Sequence, residues 1–196
     1  MRVVVDNGPG NGRRTAARRI RPAAPVTTLR AAVAADAPAL HALIAAHLEE
    51  GRLLPRTMSE LADHAPRFVV AVQGDRIVGC AELAPLSAAV AEVRSLVVAG
   101  EARQTGLGFR IVDELGRRAR REGFTQLCAF AHDPRFFVRL GFSIVPHTWV
   151  PEKIARDCHS CPLFRNCGQY AVVLDVTRAQ ATSGVATRAT GSSHRG

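Results

Sequence analysis

The spacing of apolar and polar positions changes period several times along this chain, and each change marks an element. Residues 27–33 (TTLRAAV) read as a short strand. Asp36 then stands where a cap would open a helix running through His47, with Leu40, Leu43, Ile44, His47 and Leu48 on one stripe. Thr57 or Ser59 opens a second, shorter helix that ends before Pro66. Strands over 67–73 and 76–84 flank Gly74-Asp75, a two-residue hairpin signal. Another strand covers 90–98, and a long amphipathic helix runs from about Gly106 to Glu122, where Gly123 stops it. A strand over 124–131, a short helix from Pro134, a strand over 142–147 and a last strand over 170–176 complete the pattern. The order β-α-α-β-β-β-α-β-α-β-β predicts an α/β fold: one mixed sheet with helices on its faces. No internal repeat is present.

Composition divides the chain into three. Residues 1–25 hold six arginines and one acid, and 177–196 hold three arginines and no acid. Both read as disordered basic tails, too poor in large apolar groups to offset ordering entropy. The remaining 26–176 carry 17 basic and 16 acidic side chains, so the formal charge of +9 belongs almost wholly to the tails. A segment of that length suits one domain with a real core. No apolar run approaches the roughly 18 residues of a membrane span, and no apolar stretch follows the Arg-rich N-terminus as a secretory signal requires. The reading is a cytoplasmic protein with no membrane partner. A nucleic-acid-binding protein with a Cys knuckle is the reading from another class. It is disfavoured because aromatics are 5% of residues and the basic tails carry none on which bases could stack.

The strongest chemical signal is the joint between strand 90–98 and the long helix, Arg103-Gln104-Thr105-Gly106-Leu107-Gly108. Unpaired amides at a helix start, with the macrodipole, attract an anion, and glycines let phosphates approach the backbone. Arg103 adds a charged fork. The G-x-G-x-x-G dinucleotide fingerprint is missing. About 28 residues beyond Gly108 stands Phe136-Phe137-Val138-Arg139-Leu140-Gly141-Phe142. Taken together, VRSLVV, R-x-x-G-x-G and FFxxxGF resemble the GNAT acetyl-coenzyme A-dependent N-acetyltransferases over about residues 27–148. Leu53-Leu54-Pro55-Arg56-Thr57, Val78-Gly79-Cys80, Ala91 to Leu96, and the tail Pro151-Glu152-Lys153…Asp157-Cys158-x-x-Cys161-Pro162-x-Phe164…Cys167 resemble more narrowly the short amino-acid N-acetyltransferases of the N-acetylglutamate synthase type.

The resemblance implies a GNAT-like splayed sheet with acetyl-CoA as cosubstrate. Leu96, Val97 and Val98 would pair with the pantetheine amides, and Arg103 to Gly108 (Gln104, Thr105, Gly106 and Leu107 between) would hold the pyrophosphate. Phe137 would stand against the cofactor, at a position where many relatives place a tyrosine acid. A coenzyme A thiol, near the roughly 8.5 pKa of a free thiol, can leave without one. Acetyl transfer also needs a neutral amine. Strand alternation puts Glu92 and Arg94 on one face, so Glu92 is the candidate base or else half of a structural pair with Arg94. Glu82 is the reserve base. Arg94 can grip an α-carboxylate bidentately, and Arg56, with Lys153 as the weaker choice, can take a distal one; Arg56 reads equally well as a solvated loop charge. The acceptor expected is an amino acid, L-glutamate first, as in arginine biosynthesis, with another small amine or a protein N-terminus as the alternative. A homodimer is left open.

Of the five cysteines, Cys80 and Cys128 fall in strand patterns as small buried residues. Cys158, Cys161 and Cys167, in the Cys-rich loop 157–168, form C-x2-C-x5-C. Three readings remain: a metal knuckle, zinc first, with His132 or His147 as fourth ligand; a labile disulfide; or three free thiols. Gly168-Gln169 stands where relatives carry an Asp-Glu pair.

Overall fold

A computed structural model describes residues 26–51 and 53–177. The tail expected at 1–25 lies outside them, as does the tail expected at 177–196 apart from Thr177. The strands are β1 (Thr27–Ala31), β2 (Phe68–Gln73), β3 (Arg76–Pro85), β4 (Val90–Val98), β5 (Gln126–Ala131), β6 (Ser143–Val145) and β7 (Tyr170–Asp175). They form one sheet in the order β1-β2-β3-β4-β5-β7-β6. Only β4 and β5 run parallel; every other neighbouring pair is antiparallel. The helices are α1 (Ala37–Ala45), α2 (Leu48–Gly51), α3 (Met58–His64), α4 (Leu107–Arg121), α5 (Arg135–Arg139) and α6 (Pro151–Lys153). Among the described residues no helix is long and apolar enough to cross a membrane.

Both faces of the sheet are covered, which is why its central strands read as nearly continuous apolar runs. Along β2, Phe68 and Val70 join the core under α1 and α3, while Val69 and Ala71 join the core under α4. On α4, Leu107, Ile111, Leu115 and Ala119 recur every fourth position and are buried. Its outer face is tied by Arg117 to Asp113 and Glu114, and by Arg118 to Glu122.

Several boundaries differ from expectation for local reasons. Asp36 is not a side-chain cap of α1. Its carboxylate folds back to accept from the Val33 amide at 2.8 Å and pairs with Arg30. Thr57 does cap α3, accepting from the Glu60 amide. β6 stops at Val145 because Pro146 has no amide to offer the ladder. The stretch expected to be only a Cys-rich loop opens with α6, which continues as a π-helical turn over Ile154–Cys158.

Two irregularities in β4 shape the site. Its pairing with β5 covers only Val90–Glu92 against Gln126–Cys128, although β4 runs on to Val98. Against β3, Glu82 faces Arg94 while Cys80 faces Val97, so β4 carries one extra residue between them. Ser95, at φ +49°, lies in that bulge. The bulge resets the alternation, so Arg94 and Val97 share a face.

Candidate active site

Where β4 parts from β5, a cleft of about 530 Å³ opens, lined by Leu96, Val97, Val98, Arg103, Gln104, Gly106, Leu107 and Gly108 among others. The loop at its end takes left-handed backbone at Gln104 (φ +61°) and Gly106 (φ +77°). Alternating backbone of this kind turns neighbouring amides to one side and forms an anion-binding concavity. The first α-helical bond of α4 is Arg110 N–H to Gly106 O, so the amides just before it lack that partner. A Cβ on Gly108 would lie 3.4 Å from the Phe136 ring, which explains the second glycine as a close approach. Arg103 Nε donates to Val98 O at 3.0 Å and so holds the loop against the end of β4.

Thr105 and Phe137 are not among the residues lining the cleft. The Thr105 hydroxyl closes the turn by donating to Ala102 O at 2.7 Å. Phe137 is 7% exposed and packs edge-on against Phe142 inside the core; its neighbour Phe136 forms the wall. Helix periodicity is the cause, since residues one apart on a single turn of helix cannot share a face. The same rule would have found Arg139, three residues after Phe136, which also lines the cleft, as do His47 and Phe109.

The second part of the site lies on the face under α1 and α3, because Glu82 stands opposite Phe68 and Glu92 opposite Cys128. Glu82 and Glu92 are the two buried charged side chains in the described residues, 1% and 4% exposed. Each sits among cations. Arg56 donates through Nη2 to Glu82 Oε2 at 2.8 Å and through Nη1 to the Ser95 hydroxyl at 3.0 Å, while its Nε lies 2.9 Å from Glu60. Arg56 is therefore a half-buried ion-pair residue whose side chain is 9% exposed, and the solvated-charge alternative is set aside. His64 Nδ1 lies 3.3 Å from Glu82 Oε1 without hydrogen-bond alignment.

Around Glu92 the structure assembles a four-membered cluster. Arg94 Nε donates to Glu92 Oε2 at 2.5 Å, and Lys153 Nζ donates to both Glu92 oxygens at 2.8 and 2.9 Å. Asp157 completes it by accepting from Lys153 at 2.8 Å and from Arg94 Nη2. Both oxygens of Glu92 are thus engaged, the structural pairing with Arg94 that alternation allowed. Burial works against the charge on Arg94, yet Glu92 and Asp157 hold its guanidinium above its ordinary pKa. Burial likewise opposes ionisation of Asp157, but the Lys153 hydrogen bond and the nearby Arg94 charge keep its carboxyl below the usual range. Asp157 escaped sequence reading because α6 did; Pro151 at the first helical position and the i,i+4 pair Lys153–Asp157 were the available signals.

The cysteines divide as expected between core and loop. Burial pushes the Cys80 thiol up to about 12 and raises that of Cys128 as well. Cys158, Cys161 and Cys167 are half-buried free thiols. The zinc knuckle is not formed: among the described residues no three His, Cys, Asp or Glu side chains come together to hold a metal ion. His147 Nε2 lies 2.9 Å from Gln169 O and His132 Nδ1 3.1 Å from Gly168 O, so both rings brace the backbone of the loop.

Comparison with known proteins gives consistent relatives. A sequence model described as the Acetyltransferase (GNAT) family matches residues 35–142. An uncharacterized N-acetyltransferase of Chlorobaculum tepidum is 32% identical over 147 residues, covering 75% of this chain and 95% of that protein. An amino-acid acetyltransferase of Neisseria meningitidis is 29% identical over 135 residues, 68% of this chain but 31% of its own length. Among solved structures, N-acetylglutamate synthase from Neisseria gonorrhoeae, complexed with coenzyme A and N-acetyl-glutamate, superposes with a TM-score of 0.70 at 26% identity. That match covers 78% of this chain and 36% of the other. The present chain thus spans about a third of both Neisseria proteins.

Proposed function

Because the chain belongs to the GNAT acetyltransferase family, we propose that it moves the acetyl group of acetyl-CoA to the α-amine of an amino acid, with L-glutamate the first candidate. The observation that carries this reading is the opening of β4 from β5 at Glu92, with an amide-rich loop lining the cleft that begins there; Arg94 and its partner Glu92 lie on the same strand, β4. Acetyl-CoA supplies the activated acetyl thioester. Leu96, Val97 and Val98, on the part of β4 that β5 leaves unpaired, are assigned its pantetheine amides, with the Val98 carbonyl also accepting from Arg103, and the turn from Arg103 to Gly108 its pyrophosphate. Arg139 adds a second charge at that end.

On the acceptor side, the resemblance to proteins named for amino-acid acetylation supports a carboxylate-bearing substrate. Arg56, Arg94 and Lys153 are the cations available to it, and binding there requires exchange of partners within the ion pairs just described. Glu82 is the carboxylate we assign to receive the amine proton, through water, because one of its oxygens lacks an aligned donor from His64. Glu92 is assigned to hold Arg94 and Lys153 in place. No tyrosine lines the cleft, so the departing thiolate takes its proton from water.

Release of free thiol, measured across a panel of amino acids, small amines and a peptide N-terminus, tests the assignment. Glutamate should head the panel. Equal, background rates with glutamate, glutamine and aspartate would reject the substrate class. The corrected cleft wall has its own test. Phe136→Ala is expected to raise the KM for acetyl-CoA several-fold and, because the ring also packs against the core, to lower stability as well. Phe137→Leu should leave that KM unchanged and lower unfolding stability by about 1 kcal/mol.

A further inference from the structure

We propose that Cys158 and Cys161 form an oxidisable dithiol whose closure to a disulfide displaces Asp157 and so weakens acceptor binding. The consequence for binding rests on the reading that Arg94 and Lys153 face the acceptor; the dithiol itself does not. Cys80 and Cys128 are fully buried in the sheet, whereas these two thiols are half-buried and flank the exposed residues His159 and Ser160.

The backbone already brings the pair together. Cys161 N–H donates to Cys158 O at 3.1 Å, which closes a four-residue turn. Such a turn holds its end Cα atoms within about 7 Å, and disulfides span roughly 4.4–6.8 Å between Cα atoms. No equivalent bond ties Cys167 to either. It lies beyond the turn at Phe164–Asn166, with its sulfur 3.9 Å from Gln169 Oε1.

The step is thiol–disulfide exchange with a low-molecular-weight disulfide such as glutathione disulfide. Burial holds the Cys158 thiol above its ordinary value, which leaves Cys161, flanked by exposed residues, to open the exchange. The Cys161 thiolate attacks one sulfur of the reagent, forms a mixed disulfide and releases one thiol. Cys158 then attacks the Cys161 sulfur and releases the second. Two protein thiols are oxidised, one reagent disulfide is reduced to two thiols, and both protons leave with them.

The link to the site is covalent and short. Cys158 is the last residue of the π-helical turn Ile154–Cys158, and the residue before it is Asp157. Asp157 bridges Lys153 and Arg94 through one oxygen. A π-turn is a wide, rare geometry that occurs frequently at functional sites. A disulfide at its end imposes a fixed dihedral near 90° and a Cβ separation of about 3.5–4.5 Å. Closing the disulfide fixes the backbone at the end of that turn, and the adjoining Asp157 shifts with it.

The full-length reduced protein is incubated with glutathione disulfide, digested without reductant and mapped by mass spectrometry. The expected product joins Cys158 to Cys161, in the wild type and in Cys167→Ser alike. Kinetics on the same samples should show acceptor KM raised about tenfold, reversed by dithiothreitol, with the KM for acetyl-CoA unchanged. Cys161→Ser should keep its reduced acceptor KM after the same treatment. Absence of the Cys158–Cys161 link, a link to Cys167 instead, or a formed link that leaves acceptor KM unchanged each overturns the proposal. The peptide map needs no acceptor, so failure of the dithiol cannot be mistaken for failure of the amino-acid reading.

Discussion

Glu82→Gln is expected to slow turnover by about a hundredfold to ten-thousandfold, the usual range for loss of a positioned proton acceptor. Glu82 lies 1% exposed on β3, opposite Arg94 and next to the bulge that starts the cleft wall. Glutamine keeps its shape and can still accept from Arg56, so coenzyme binding should survive. The split between kcat and KM separates catalysis from architecture. If Glu82 takes the proton, kcat falls in the variant while the KM for acetyl-CoA holds. A variant that keeps its kcat removes Glu82 as the base. Thermal melting of the same sample shows whether the unbalanced Arg56 has unfolded it.

Glu92→Ala should act on stability first. Removing one partner from a buried ion pair costs about 3–5 kcal/mol, because the charge left behind stays desolvated. Here the lower end, about 3 kcal/mol, is expected: Arg94 is 25% exposed and Asp157 remains as a partner. Urea denaturation measures it as a shift of midpoint at constant slope. The double variant Glu92→Leu, Lys153→Met removes one charge of each sign and leaves Arg94 paired with Asp157. It should recover most of the loss, since apolar residues of similar size often replace a buried pair without penalty. A Glu92→Ala protein as stable as the wild type would show that the cluster does not hold α6 against the sheet.

Both variants probe contacts of a kind that sequence reading reaches only in part. The turn before α4 was legible because its geometry is local: six consecutive residues set the left-handed backbone at Gly106 and the close approach at Gly108. The helices capped by Thr57 or stopped near Gly123, and the hairpin at Gly74-Asp75, were legible for the same reason. Phe137 packs into the core and Phe136 lines the cleft, a phase that a five-residue helix gives too few turns to fix from sequence. Zinc was raised by cysteine spacing alone, which cannot say where histidines 132 and 147 spend their nitrogens.

Periodicity and turn chemistry thus determined from the sequence the order of the strands, the two-faced sheet and the glycine turn before α4. Those signals act over a few residues, where backbone geometry leaves few choices. The ion pairs were decided only in three dimensions. Arg56 meets Glu82 across 26 positions, Lys153 meets Glu92 across 61, and Arg94 meets Asp157 across 63. A charge on a strand shows which face it occupies, but its partner is selected by how far β4 bulges at Ser95 and where α6 lands on the sheet. Those are properties of packing, and desolvation makes them decisive: a buried carboxylate takes whichever cations the fold brings to it.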